Sequence, residues 1–186
     1  MQGAIFDPGG DAERIISAVE QTGMKVGCIY LTHGHLDHVG AAMEIKEHFG
    51  VKLIGPHIDD KGACERTEEV AASYGLQGMK NAYPDRWVTE GEVVTIAGYD
   101  FEILHCPGHS PGHVVFYSSE LKFAHVGDVL FQGSVGRTDL PGGDHDALIS
   151  SIKDKLLPLG DEISFLCGHG QGSTFGQERV SNPFLQ

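Results

Sequence analysis

Short apolar runs and helix-period stretches take turns along the chain. GAIFD, residues 3–7, is a brief apolar run cut off by PGG, which predicts a strand and a sharp turn. From Asp11 the period changes: Ile15, Ile16 and Val19 share one helical face, with Asp11 as the expected N-cap and Gly23 as the stop. VGCIYL, residues 26–31, is nearly continuous in apolar character and predicts a strand covered on both faces. A second helical pattern begins at Val39 and ends at Gly50, and KLIG follows as another strand. This β-α-β-α-β order predicts a layered α/β design. From Thr89 the pattern becomes hairpin-rich, with EVVTIAG, YDFEILHC, HVVFYS and LKFAHVG as four strand candidates. A helix over Asp146–Leu156, the strand ISFL and a Gly-rich loop complete the pattern. Residues 57–88 are the least legible, and DDKGACERTEEVAASYG predicts a helix with a loop after it. With no fixed-period repeat and no low-complexity linker, the pattern predicts a single domain over residues 1–186. Its expected architecture is two sheets packed together with helices outside.

Composition narrows the function more than the fold. A chain of 186 residues is long enough to bury a sizeable core without disulfides. Thirteen Lys and Arg against 26 Asp and Glu leave a net charge of −13. That balance excludes phosphate-backbone binding, which rests on cations, and favours a small-molecule substrate over nucleic acid. Cys28, Cys64, Cys106 and Cys167 are scattered, with no CxxC, and read as reduced thiols of a cytoplasmic protein. The N-terminus MQGAIFDPGGDAER lacks the basic-then-apolar signature of a signal peptide. No apolar run is long enough to predict a membrane span.

The candidate chemistry lies in LTHGHLDHVG, residues 31–40. Alternate residues of an extended segment share a face, so His33, His35 and Asp37 converge. A turn near Gly34 and a helix starting near Asp37 would bring His38 back to them. Imidazole nitrogens with a carboxylate oxygen suit zinc, iron or manganese. Chance clustering or helix capping is the plain alternative, and so dense a run is rare by composition. One tight loop seldom completes a catalytic site, so remote ligands are expected. HCPGHSPGH offers His105, His109 and His113. His105 and His113 fall on strands, where a packed or surface histidine is the ordinary outcome, whereas His109 is held between two PG pairs. Asp128 in HVGDVLF and His169 in LCGHGQG each follow a strand and a glycine.

HxHxDH followed by a His, an Asp and a final His resembles the metallo-β-lactamase superfamily, and within it the short glyoxalase II-like proteins. The likeness runs from FDPGG to NPFLQ and includes LTHGHLDHVGA, HCPGHSPGHVVF, GDVLFQGSVGRTDLPGGDH, LLPLGD and GHG. It implies an αββα sandwich of two mixed sheets with outer helices. It also implies that His33, His35 and His109 hold one metal, that Asp37, His38 and His169 hold a second, and that Asp128 bridges them. Asp7 matches an early aspartate that orients a ligand imidazole. The implied cofactors are two divalent ions, zinc first, with iron or manganese as alternatives. The implied reaction is hydrolysis of a thioester such as S-lactoylglutathione by a metal-bridging hydroxide, with Asp37 and Asp128 catalytic through it.

Cys106 reads as packing beside the His109 loop. Arg137 has two readings: an internal pair with Asp139 that shapes the loop GSVGRTDLPGGD, or a contact to a substrate carboxylate. Two rival functions share the ligand pattern, a mono-iron persulfide dioxygenase and an inactive metal-binding fragment. His38 completes a second-site pattern that points away from a β-lactamase. Three features depart from the family pattern. Two strands, about 25 residues, are expected before AIFDPGG, and their absence would expose an apolar edge. The C-terminal helical domain of full-length glyoxalase II, which helps bind glutathione, has no counterpart before Gln186. Gln171 stands where relatives often carry a proline.

Overall fold

In the computed structural model, which describes residues 2–186, the apolar runs of the N-terminal part become three parallel strands. They are β1 (Gln2–Phe6), β2 (Lys25–Tyr30) and β3 (Lys52–Ile54), in the order β1-β2-β3. Parallel neighbours need crossovers, supplied by α1 (Ala12–Thr22) and then by α2 (Leu36–Val39) with α3 (Ala42–Phe49). α1 and α3 stop where the sequence predicts, at left-handed Gly23 and Gly50. The start of α1 differs from expectation. Asp11 is itself left-handed and its side chain caps nothing; its carbonyl instead accepts the Ile15 N–H at 3.1 Å.

β2 also departs from the expected two-sided burial, because Gly27 is exposed and Cys28 half-buried while Ile29 and Tyr30 are covered. The helical pattern after His38 breaks at Gly40–Ala41, where the Ala41 N–H donates to the Pro8 carbonyl at 3.0 Å. A methyl group on Gly9 would sit 1.6 Å from the Asp37 carbonyl oxygen. Two stretches of backbone therefore touch there, which only glycine permits. Residues 57–88 form a 3-10 turn (Ile58–Asp60), α4 (Lys61–Cys64) and α5 (Thr67–Ser73) before a loop. Ile29, Leu31, Val39, Ile45 and Leu53 centre the core of this unit, and Ile15, Ile16 and Val19 pack against it.

This first unit runs to Val88 and takes in Ile96–Gly98; the second comprises Thr89–Thr95 and Tyr99–Gln186. The four predicted hairpin strands become β4 (Val93–Ile96), β5 (Tyr99–His105), β6 (Val114–Ser118) and β7 (Phe123–His125). β5, β6 and β7 pair antiparallel. A hairpin of two-residue strands, β8 (Leu130–Phe131) and β9 (Ser134–Val135), is too short to leave a periodic signal. α6 (His145–Ser150) starts one residue earlier than the pattern suggests, because the Asp144 side chain caps it by accepting the Ala147 N–H at 3.0 Å. It continues as a π-helical turn over Ser151–Leu156. β10 (Ser164–Leu166) lies parallel to β7, and β11 (Ser173–Thr174) is antiparallel to β10. The six-stranded sheet is thus mixed, in the order β11-β10-β7-β6-β5-β4. α7 (Phe175–Ser181), capped by the Thr174 hydroxyl, was not legible in the pattern. Val115, Val126, Leu148, Ile152, Phe165 and Phe175 centre the second core. Among the described residues no helix is long and apolar enough to cross a membrane.

Candidate metal centre

The first donor cluster sits where β2 ends. Thr32, His33 and His38 are buried, and the His33 ring lies 4.7 Å from that of His35 and 4.0 Å from that of His38, centroid to centroid. Asp37 and His38 occupy the first turn of α2, which starts at Leu36, so the turn after Gly34 returns His38 to its neighbours.

Asp7 is the anchor of this arrangement. It ends β1 in a left-handed conformation, which aspartate tolerates better than most residues. Its Oδ1 accepts the Thr32 N–H at 2.7 Å and its Oδ2 accepts the Thr32 hydroxyl at 2.7 Å. Oδ2 also stands 3.2 Å from His38 Nδ1. The Thr32 hydroxyl has one hydrogen to donate, and it is directed at Asp7 Oδ2. Thr32 Oγ1, 3.0 Å from His33 Nδ1, therefore accepts from that nitrogen and leaves His33 Nε2 as the donor atom. Asp60, buried on the segment that was least legible, accepts the Gly34 N–H at 2.8 Å and fixes the loop from its other side. Thr32 and Asp60 were not singled out in the sequence. Thr32 adjoins the histidine run, whereas nothing local marks Asp60.

The second unit carries its own cluster around Asp128. His109 Nε2 lies 3.6 Å and His169 Nε2 3.5 Å from Asp128 Oδ2. These separations exceed a hydrogen bond. They match the spacing of about 3.4 Å between two ligands of one tetrahedral ion with bonds near 2.1 Å. The chemistry of the set, imidazole nitrogens around a carboxylate oxygen, fits a divalent metal. His109 Nδ1 donates to the Arg137 carbonyl at 2.8 Å, again leaving Nε2 as donor. The Gly168 N–H donates to the Gly127 carbonyl at 2.8 Å and ties the loop of His169 to that of Asp128.

His113, read from the sequence as a packed or surface histidine, is fully buried, and its Nε2 accepts the Asp128 N–H at 3.0 Å. It thereby supports the backbone of Asp128. His105 turns away to the Pro111 carbonyl, 2.8 Å from its Nε2. Cys106 lies in the core, and burial pushes its thiol up to about 12, which leaves no thiolate for nucleophilic work. Arg137 donates through Nε and Nη2 to the two carboxylate oxygens of Asp139, both at 2.7 Å. That hydrogen-bonded pair holds the Asp139 carboxyl down at about 2.

Ordered histidines and aspartates at strand ends, on this α/β framework, define a class. Residues 2–169 match the Metallo-beta-lactamase superfamily, and the chain belongs to it. It is a hydrolase of that superfamily. Among individual proteins it is 54% identical to hydroxyacylglutathione hydrolase GloC of Haemophilus influenzae, over 98% of this chain and 86% of that one. The solved structure of BLEG-1 B3 metallo-beta-lactamase superposes with a TM-score of 0.91 at 39% identity, covering 99% of this chain and 88% of the other. TTHA1623 in a di-iron-bound form gives 0.88 at 41% identity, covering 96% and 87%.

Proposed function

We propose that the protein hydrolyses thioesters of the S-lactoylglutathione type with two divalent ions, zinc first among them. In this reading His33, His35 and His109 hold one ion, Asp37, His38 and His169 hold the other, and Asp128 bridges. The observation that carries it is the pair of imidazole nitrogens flanking one oxygen of Asp128. The order of ligands in the superfamily and the likeness to GloC support it further. When bound, such ions supply an activated water and polarise a carbonyl. The chain's own contribution is orientation. Thr32 holds His33, Asp7 holds Thr32 beside His38, the Arg137 carbonyl holds His109, and His113 holds the backbone of Asp128. In the overall reaction water adds to the thioester carbonyl, the C–S bond breaks, and a hydroxy acid and a thiol leave. The thiol is a good leaving group because its pKa is about 8.5. Four unpaired cysteines support action in a reducing compartment, the cytoplasm.

The test is thiol release from S-lactoylglutathione by metal-reconstituted protein, beside a chelator-stripped control and Asp128→Ala. Release is expected only with metal, and Asp128→Ala is expected to lower it by at least about a hundredfold and to reduce bound metal. Full activity in that variant sinks the bridging role. Oxygen uptake with a persulfide and no thiol release supports the mono-iron dioxygenase instead. Hydrolysis of a β-lactam in place of the thioester moves the substrate class towards that of BLEG-1.

A further inference from the structure

The loop after β9 brings its backbone against the cluster around Asp128. Gly136 has no side chain, and a methyl there would sit 2.0 Å from the Asp128 carbonyl oxygen and 3.2 Å from His109 Cβ. The loop therefore passes directly against both residues. The next residue, Arg137, presents its carbonyl to His109 Nδ1 at 2.8 Å. Its guanidinium turns outward and takes both oxygens of Asp139 in a two-pronged pair, a geometry that restricts the short backbone between them. The pair is largely exposed, with side chains 61% and 68% accessible, so it adds little to global stability.

We propose that Arg137 and Asp139 form a positioning clip that aims the Arg137 carbonyl at His109 Nδ1 and so fixes the tautomer that leaves Nε2 to bind metal. The metal-binding consequence rests on the reading of His109 as a ligand given above; the tautomer itself does not. A neutral imidazole has one ring proton, and the group facing Nδ1 decides where it sits. With the clip closed the proton is on Nδ1. With the clip open the carbonyl drifts and both tautomers are populated. Arg137 acts here through another residue, as a positioning residue.

The experiment is long-range ¹H–¹⁵N correlation of the His109 ring in the metal-free, full-length protein, compared with Asp139→Ala, Arg137→Ala and Asp139→Glu. Zinc affinity by chelator competition is measured beside it. The parent is expected to show the Nδ1–H tautomer alone. Asp139→Ala and Arg137→Ala should show mixed tautomers with unchanged melting temperatures and a zinc affinity about 10–100-fold weaker. Asp139→Glu, which keeps a carboxylate for the guanidinium, should restore the parent spectrum. An unchanged tautomer in both alanine variants overturns the clip. A shifted tautomer with unaltered zinc affinity upholds the clip and removes His109 from the ligand set, so the two failures are distinguishable.

Discussion

Thr32 decides the proton of His33 with a single hydroxyl. That hydroxyl donates a hydrogen bond to Asp7 Oδ2 and accepts one from His33 Nδ1, so a carboxylate one strand away sets the tautomer of the His33 imidazole. Thr32→Val keeps the shape and removes the relay. It leaves Asp7 Oδ2 short of a donor in a buried place, which costs about 1–3 kcal/mol. The expected result is a lower melting temperature together with zinc affinity reduced by about 10–100-fold. Unaltered zinc binding in a folded Thr32→Val protein would show that the relay does not act on the metal. The Arg137–Asp139 pair follows the same logic at the other cluster, and its pH range follows from sign. A carboxyl held at about 2 against an ordinary 3.8 contributes fully above 3.8, and its contribution disappears as pH falls through about 2.

At the scale of elements, turns bring the donors to strand ends and distant contacts lock the turns. The loop after β1 touches the start of α2 backbone to backbone, which sets the height at which Asp37 and His38 leave the helix. In the second unit a fully buried carboxylate on α7 does comparable work. Glu178 accepts the Gly133 N–H at 2.7 Å, the Asn182 amide at 2.9 Å and the Ser173 hydroxyl at 2.5 Å. It joins the β8–β9 turn, which leads into Gly136 and Arg137, to the strand that follows the His169 loop. Glu178→Ala removes the shared acceptor of the buried Asn182 amide, the half-buried Ser173 hydroxyl and the Gly133 N–H, and a lost buried hydrogen bond costs about 1–3 kcal/mol. The expected outcome is a loss of about 1–3 kcal/mol in denaturant unfolding, with Glu178→Gln losing less. A loss under about 0.5 kcal/mol, the size of an ordinary surface change, would mean that the network is dispensable.

Over the whole molecule, acidity would set how an anionic substrate such as the proposed glutathione thioester arrives. A net charge of −13 repels a glutathione thioester, which is itself negative near neutral pH. Salt shortens the reach of that repulsion, from about 30 Å at 0.01 M to about 8 Å at 0.15 M. The expected behaviour is a kcat/KM for S-lactoylglutathione that rises with ionic strength by up to about tenfold. A fall with added salt would instead reveal a local cationic patch that outweighs the total.

The superfamily was legible in the sequence because its ligands are carried by short local motifs in a set order. HxHxDH, the histidine between two PG pairs, and the Asp and His after strands survive without any knowledge of the fold. Most strand and helix periods were legible, but the two-residue strands β8 and β9 and the helix α7 were not. Asp11 and His113 show the limit of local reasoning, since one looks like a cap and caps nothing while the other looks like packing and holds Asp128. Residue types and order belong to the sequence alone. Tertiary structure decided which ring nitrogen of His33 and of His109 is left as the donor. That choice depends on the partner of the other nitrogen, and the partners lie far along the chain: Thr32 is held by Asp7 across 25 residues, and His109 faces Arg137 across 28.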